Sequence, residues 1–318
     1  MARPVVAIAR RLLDAGRDLL EGEVELREGA LDIEPGPLRQ LVEGASALVA
    51  DPTVPVDAQL LDAAGEELRV VANFAVGYDN VDLDACRARG VAVTNTPDVL
   101  TNATAEIAVE LTHSAARNAS GAERDLRAGR WDGWDPGAYL GLELSGATFA
   151  VVGLGRIGRR YAELVRPLAA ELLYVARSAK PEAEAALGAR RVDLGEALER
   201  ADVVSLHAPA GPDTRHLIGA PELRAMRPTS ILVNTARGSL VDADALTAAL
   251  SSGAIAGAGL DVYEHEPAVP ESLLRAPRCT LLPHIGSATH TARNGMARTV
   301  AQNVLAALRG EEPPNRVA

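Results

Sequence analysis

The sequence is short of aromatic side chains. Phe, Tyr and Trp make up 3% of its 318 residues, so Ala, Val and Leu must fill whatever interior the chain builds. Cysteine is nearly absent. Cys86 and Cys279 make no disulfide framework and have no metal-ligand spacing, and both read as small buried residues in a reducing cytoplasm. No stretch of the roughly 18 or more apolar residues that a membrane span needs is present. The opening MARPVVAIARR runs straight into a strand-like segment, with no separate apolar region and cleavage site, so no signal peptide is expected. An excess of positive charge is also missing. The net charge of −11 leaves no basic stripe for nucleic acid. It does not exclude a small anionic substrate, because one buried arginine overcomes a weak global field locally.

What is present is an ordinary hydrophobic fraction, 47%, in a length that suits about two domains. Short apolar runs alternate with helical stretches. Strands are expected at 4–9, 47–50, 68–72 and 91–94, with helices near 11–20, 38–44, 57–64 and 82–89. That alternation means βαβ units on a parallel sheet. Asn95-Thr96-Pro97 breaks the pattern, and a long helix is expected over 101–117. The stretch 129–141 has no period and holds both tryptophans, Trp131 and Trp134, which suit packing or an interface. A second series follows, with strands expected at 148–152, 171–176, 202–206, 230–234, 256–260 and 279–282. Six strands fit a doubly wound nucleotide-binding domain. A last helix is expected over 287–309, returning to pack on the first domain. Pro313-Pro314 is expected to end ordered structure, leaving no room for an appended regulatory domain.

The stretch TFAVVGLGRIGRR, residues 148–160, organises this second series. The apolar run Phe149–Val152 passes at once into Gly153-Leu154-Gly155-Arg156-Ile157-Gly158, a G-x-G-x-x-G after a strand and opening a helix. In such a turn Gly153 permits the bend, Gly155 lets the backbone approach a pyrophosphate, and Gly158 lets helix and strand pack closely. The helix N-terminus supplies N–H groups and a positive dipole end for phosphates. The pattern points to a dinucleotide and leaves the reaction open.

In a doubly wound sheet, ligands sit at the carboxyl ends of the strands. The residues there are His207-Ala208-Pro209, Thr235-Ala236-Arg237, Asp261 with Glu264 and Glu266 beyond it, and His284-Ile285-Gly286. Reduction of a 2-oxo acid by a nicotinamide cofactor needs a cation for the carboxylate, a proton donor for the carbonyl oxygen, and a carboxylate that keeps that donor charged and fixes its ring. Arg237 suits the first role, because its planar fork holds a carboxylate bidentately. His284 suits the second. Glu264 and Glu266 compete for the third. The remaining histidines, His113, His207, His216, His265 and His290, read as polar loop or helix residues, with the backbone of His207 beside the cofactor groove.

The segments VANFAVGYDNVDL (71–83), GVAVTNTPDVLTNATAE (90–106), VVGLGRIGR (151–159), ILVNTARGSLVDADAL (231–246), AGAGLDVYEHEP (256–267) and LLPHIGSATHTARNGM (281–296) resemble the D-isomer-specific 2-hydroxyacid dehydrogenases. Within that family the likeness is to the glyoxylate/hydroxypyruvate reductases. The resemblance covers nearly the whole chain after Leu68 and places the catalytic arginine, glutamate and histidine on Arg237, Glu266 and His284, preferring Glu266 over Glu264. It implies an α/β architecture of two doubly wound domains. A Rossmann-type dinucleotide-binding domain, 99–286, is inserted into a discontinuous flavodoxin-like substrate domain, 1–98 and 287–318. It also implies that the amides of Val76 and Gly77 hold the substrate carboxylate and that Asp261 accepts from the nicotinamide carboxamide. Thr104 is expected near the cofactor, with Gly153, Gly155, Arg156, Ile157, Gly158, Arg177, Ser178, His207, Ala208, Pro209, Thr235, Ala236, His284 and Gly286. It further implies a homodimer in which Trp134 reaches the partner's active site, and it implies no metal.

Two departures from the family pattern matter. A ribose-binding Asp or Glu is expected about 20 residues past the glycines. Here the stretch reads Ala176-Arg177-Ser178-Ala179-Lys180, with two cations and a hydroxyl instead of an acid. Such a site repels no 2′-phosphate and can pair with one. A charge-assisted contact of about 1.5–3 kcal/mol is a preference of about tenfold to a hundredfold. NADPH is therefore expected, with NADH as the weaker cofactor. The second departure is Glu110 and His113, at i,i+3 in an otherwise apolar helix, which reads as a hydrogen-bonded pair at a domain or subunit contact. The expected activity is cytoplasmic reduction of glyoxylate and hydroxypyruvate to D-2-hydroxy acids. The alternatives are an NAD-linked 2-hydroxyacid or 3-phosphoglycerate dehydrogenase and a cofactor-sensing, corepressor-like scaffold. A phosphorylated substrate would want cations near 50–56, and DPTVPV has none.

Overall fold

The structure, a computed structural model, describes residues 3–318. The chain forms two compact units, one of residues up to Leu100 together with Ala288–Ala318, the other Thr101–Ser287.

The first unit is built on a five-stranded sheet of β1 (Val5–Ile8), β2 (Glu25–Glu28), β3 (Ala47–Ala50), β4 (Val70–Asn73) and β5 (Ala92–Thr94), in the order β2-β1-β3-β4-β5. Every pairing is parallel. The strands ALVA and VVAN are buried along their whole length, as strands covered on both faces must be. Asp57 and Asp82 accept from the Leu60 and Ala85 amides at 2.9 Å, which starts the helices Ala58–Ala64 and Leu83–Ala88 where the sequence expects them. The strand β2 is not anticipated by the sequence. Its residues, ELRE, are partly or fully exposed, so an edge strand forms there with no apolar run to announce it. The helix His290–Leu308 packs Ala297, Val300, Ala301 and Val304 into one cluster with Val6, Ile8, Leu12 and Leu20. Ordered structure does not stop at Pro313-Pro314. The Val317 amide donates to the Val93 carbonyl at 2.8 Å, and Val93 donates to Ala318 at 2.9 Å. The outer edge of β5 would otherwise hold unpaired backbone groups, and the last residues satisfy them.

The second unit holds a seven-stranded sheet of β6 (Ala147–Val152), β7 (Ala169–Val175), β8 (Arg190–Arg191), β9 (Val203–Leu206), β10 (Ile231–Asn234), β11 (Gly257–Leu260) and β12 (Cys279–Leu281). The order is β12-β11-β10-β9-β6-β7-β8, all parallel, so every carboxyl end lies on one rim. The order reverses between β6 and β9, which makes their carboxyl ends the switch point where ligands bind in such sheets. Six of these strands are the expected ones. The seventh, β8, is a pair of exposed arginines with no hydrophobic signature. The helix Thr101–Arg117 forms over the expected residues. A further helix, Ala119–Arg127, buries no residue and is correspondingly silent in the hydrophobic pattern. Residues 129–141 carry no regular element, as read from the sequence. Cys86 and Cys279 are buried and unpaired. Among the described residues no helix is long and apolar enough to cross a membrane, and no cluster of His, Cys, Asp or Glu could hold a metal ion.

Candidate active site

The glycine turn sits at the switch point. Gly153 has φ +95°, and a Cβ there would lie 2.6 Å from the Ala208 nitrogen and 2.7 Å from the His207 carbonyl. Glycine is thus required twice, for the left-handed backbone and for the approach of the segment after β9. A Cβ on Gly158 would meet the Gly153 carbonyl oxygen at 2.1 Å. Gly155 differs from both. A Cβ there meets nothing within 4 Å, and its φ of −80° is open to any residue. Nothing in the protein itself calls for glycine at this position, whereas a ligand brought against the backbone would. No side chain caps the helix Arg156–Val165, whose first intrahelical bond runs from Arg159 to Gly155. The amides of Ile157 and Gly158 therefore have no intrahelical acceptor. This cradle fits the pyrophosphate of a dinucleotide.

His207 lies against the turn, its ring centroid 5.0 Å from that of Tyr161. Its Nε2 meets Ser205 Oγ at 2.9 Å, and burial pushes its pKa down to about 3. The imidazole is neutral, so its part in the site is packing and backbone placement. Ala208 is half-buried and Pro209 exposed beyond it. After β7, Ala176 is half-buried while Arg177, Ser178 and Lys180 are exposed. Acids do line the same concavity, but they are committed. Asp193 caps the helix Leu194–Arg200 through the Glu196 amide at 2.8 Å, and Glu196 pairs with Arg190 and Arg200 at 2.5 and 2.7 Å.

At the other end of the rim, the segment after β11 is laced to the segment after β12. Asp261, 1% exposed, accepts from the Ile285 and Gly286 amides at 2.7 Å each. The Tyr263 hydroxyl donates to the Leu282 carbonyl at 2.9 Å. His284 Nδ1 donates to Glu266 Oε2 at 2.6 Å, while Glu266 Oε1 accepts from the Tyr263 amide at 2.8 Å. Burial alone would raise the Glu266 carboxyl. The hydrogen bond and charge of His284, the Tyr263 amide and the Arg237 charge outweigh it and hold the group below the usual carboxylate range. His284 itself has φ +54°, a strained backbone for a side chain of this size, held in place by the amide anchors that follow it. Thr104 is buried beside this segment, 3.4 Å from where a Gly286 Cβ would stand.

Arg237 follows β10. A Cβ on Gly238 would lie 1.9 Å from the Tyr263 carbonyl carbon, so glycine lets the arginine turn press against the loop that carries Glu266. Asn234 Nδ2 donates to the Arg237 carbonyl at 2.8 Å, and Arg237 Nη1 donates to Ala236 at 2.8 Å. Thr235 is buried between them and β10. Arg237, Glu266 and His284 are thus brought together, with Asp261 alongside. Glu264 is not part of this group. Its carboxylate meets Arg215 at 2.7 Å and His216 at 3.0 Å. Both oxygens of Asp261 already accept backbone amides, so a carboxamide there would be a third donor.

In the first unit, three buried or half-buried asparagines orient the loop after β4. Asn95 Nδ2 donates to the Val76 carbonyl and Asn73 Nδ2 to the Gly77 carbonyl, both at 2.8 Å. Asn80 Nδ2 donates to the carbonyls of Asp51 and Val54 at 3.0 and 2.9 Å. With their carbonyls tied back, the amides of Val76 and Gly77 have no acceptor among the described residues, which leaves them to an anion. Arg10 reaches the loop after β3 but is paired with Asp51 at 3.0 Å.

One expectation here needs correction. Glu110 and His113 do not bond to each other; His113 Nδ1 meets the Val109 carbonyl at 2.9 Å instead, the partner one turn back in its own helix. Trp134, expected to serve the active site of a second copy, is 83% exposed. Sequence reasoning missed Tyr263, Asn73, Asn80 and Asn95. All four lie inside the quoted segments, but their side chains carry no charge to mark them.

Residues 109–286 match the sequence model of the family described as D-isomer specific 2-hydroxyacid dehydrogenase, NAD binding domain. The glyoxylate reductase of Thermococcus litoralis is 46% identical over 286 residues, which cover 89% of this chain and 86% of that protein. The crystal structure of a Thermus thermophilus protein matches with a TM-score of 0.91 at 41% identity, covering 99% of this chain and 100% of that one. An NADPH-dependent glyoxylate/hydroxypyruvate reductase from Sinorhizobium meliloti, solved in complex with NADP and malonate, matches with a TM-score of 0.86 at 35% identity, covering 100% of this chain and 97% of that one.

Proposed function

The chain belongs to the D-isomer-specific 2-hydroxyacid dehydrogenases, and from that premise we propose that it is an NADPH-dependent reductase of small 2-oxo acids, glyoxylate and hydroxypyruvate first, yielding D-2-hydroxy acids. The observation that carries the reading is the His284–Glu266 pair at 2.6 Å, on the same sheet rim as the glycine turn and within the field of Arg237.

When bound, the reduced nicotinamide supplies hydride to the carbonyl carbon. The turn Gly153–Gly158 holds the pyrophosphate, and Thr104, His207 to Pro209, Thr235, Ala236, Asp261 and Gly286 line the rest of the dinucleotide. Arg177 and Ser178 take the ribose phosphate that distinguishes NADPH. Arg237 holds the substrate carboxylate, with the amides of Val76 and Gly77 as further donors to it. His284 gives a proton from Nε2 to the carbonyl oxygen. Glu266, held below the usual carboxylate range, accepts from Nδ1 and keeps the ring oriented. The domains are the dinucleotide-binding 99–286 and the substrate-binding 1–98 with 287–318. The enzyme acts as a cytoplasmic homodimer, Trp134 serving the active site of the second copy.

Initial rates with NADPH and NADH on glyoxylate, hydroxypyruvate, pyruvate and phenylpyruvate test the reading. The expected result is a kcat/KM on glyoxylate at least about tenfold higher with NADPH. Equal efficiency with NADH overturns the cofactor assignment, and no turnover across the panel overturns the enzyme.

A further inference from the structure

A strand of two exposed residues adds little to a sheet, yet β8 sets one side chain in a particular place. Its register puts Arg191 opposite Tyr174, near the end of β7. From there the side chain reaches past the strand end. Nε donates to the Ala176 carbonyl at 3.1 Å and Nη2 to the Arg177 carbonyl at 2.8 Å. Two N–H groups of one planar fork meet two consecutive carbonyls, a fit that a lysine ammonium does not reproduce. The far end of the same loop is fixed from within. The Lys180 amide donates to the buried Tyr174 hydroxyl at 2.9 Å, and that hydroxyl donates to Glu184. The backbone of 176–180 is therefore tied at both ends while Arg177, Ser178 and Lys180 project into solvent.

We infer that Arg191 is a positioning residue for cofactor specificity, holding the 176–180 loop ready for the 2′-phosphate of NADPH. The inference rests on the NADPH reading above. A loop already ordered loses less entropy when a phosphate binds, so its donors discriminate more sharply. NADH has a neutral hydroxyl in place of that phosphate, so its affinity gains less from the loop's order. Of the acids nearby, Asp193 is turned to a helix cap and Glu196 is paired with Arg190 and Arg200.

Calorimetric titration of the full chain with NADP⁺ and with NAD⁺ tests this on the parent, Arg177→Ala, Arg191→Gln and Arg191→Lys. Arg177→Ala is expected to lower the preference for NADP⁺ by about tenfold or more. Each Arg191 variant is expected to lower it by about fivefold, through the Kd of NADP⁺, with the Kd of NAD⁺ within about twofold of the parent. If Arg177→Ala leaves the preference unchanged, the NADPH reading fails and takes this inference with it. If Arg177→Ala lowers the preference and the Arg191 variants do not, only the inference fails. Equal weakening of both nucleotides marks a general structural role and overturns it. Full preference in Arg191→Lys alongside loss in Arg191→Gln means that Arg191 acts as a charge, and the positioning role is wrong.

Discussion

Replacing His284 with alanine is expected to lower kcat for glyoxylate reduction by about 10²–10⁴-fold, the usual worth of a positioned general acid. The proton must reach the carbonyl oxygen as negative charge builds there, and water bound at random delivers it poorly. His284 is suited to the task because its other nitrogen is engaged: Nδ1 donates to Glu266 at 2.6 Å. Glu266 is in turn held by the Tyr263 amide and lies in the field of Arg237. Glu266→Gln keeps the shape and removes the charge, so it is expected to lower kcat as well, by less than loss of the imidazole. The two act as one device, and their effects should not add. The double variant should fall within about threefold of His284→Ala alone, since residues sharing one hydrogen bond lose it only once. Near-full rate for His284→Ala at saturating glyoxylate and NADPH would remove the proton donor from the mechanism.

The second large effect concerns stability. His207 is expected to make the protein lose about 2 kcal/mol between pH 8 and pH 5, read by chemical denaturation. Burial holds its pKa at about 3 in the folded chain, and an unfolded histidine titrates near 6.5. Below that value the unfolded state takes up a proton that the folded state refuses, and stability falls by about 1.4 kcal/mol per pH unit until the folded pKa is reached. Glu110 and Asp261, raised by burial, act in the opposite sense and are common to the parent and the His207→Gln variant, while Glu264 and Glu266 do not blur this window. Glu264, through His216 and Arg215, and Glu266, against its burial, are both held below the usual range. Their contribution is fully present above the unfolded carboxylate pKa, about 4.3, and is lost only as the pH falls through their lower folded values. His207→Gln removes the titration, so its loss from pH 8 to pH 5 should be smaller by the same amount. An unchanged loss in His207→Gln would mean that the imidazole charges freely in the folded state.

Much of the fold was legible because the central strands are apolar on both faces. Phe149–Val152, Val203–Leu206 and Ile231–Asn234 are fully or almost fully buried, and their runs stand out against the helical stretches between them. The edges were not legible. ELRE and the Arg190–Arg191 pair form strands because a neighbour offers backbone partners, and nothing in their side chains announces it. The same difference divides the site. Arg237, Glu266 and His284 carry charge or a titratable ring just past strand ends, where topology alone directs attention. Asn73, Asn95 and Tyr263 act by holding backbone atoms of other residues, and a neutral side chain bonded to a carbonyl leaves no spacing rule to follow. Glu264 and Glu266 are alike to any reading of composition. Only the loop's path separates them, sending one to Arg215 and His216 and the other to His284.

The way the chain is divided also bears on its synthesis. Residues 101–287 are contiguous, so the second unit has all of its strands once Ser287 has been made. The first unit begins earlier, yet the helix that covers Val6, Ile8, Val70 and Ala72 runs from His290 to Leu308, and the residues that line the edge of β5 come last of all. The unit begun before the other is therefore completed after it. Until then one apolar face of its sheet waits uncovered, the state in which nascent chains are most exposed to aggregation.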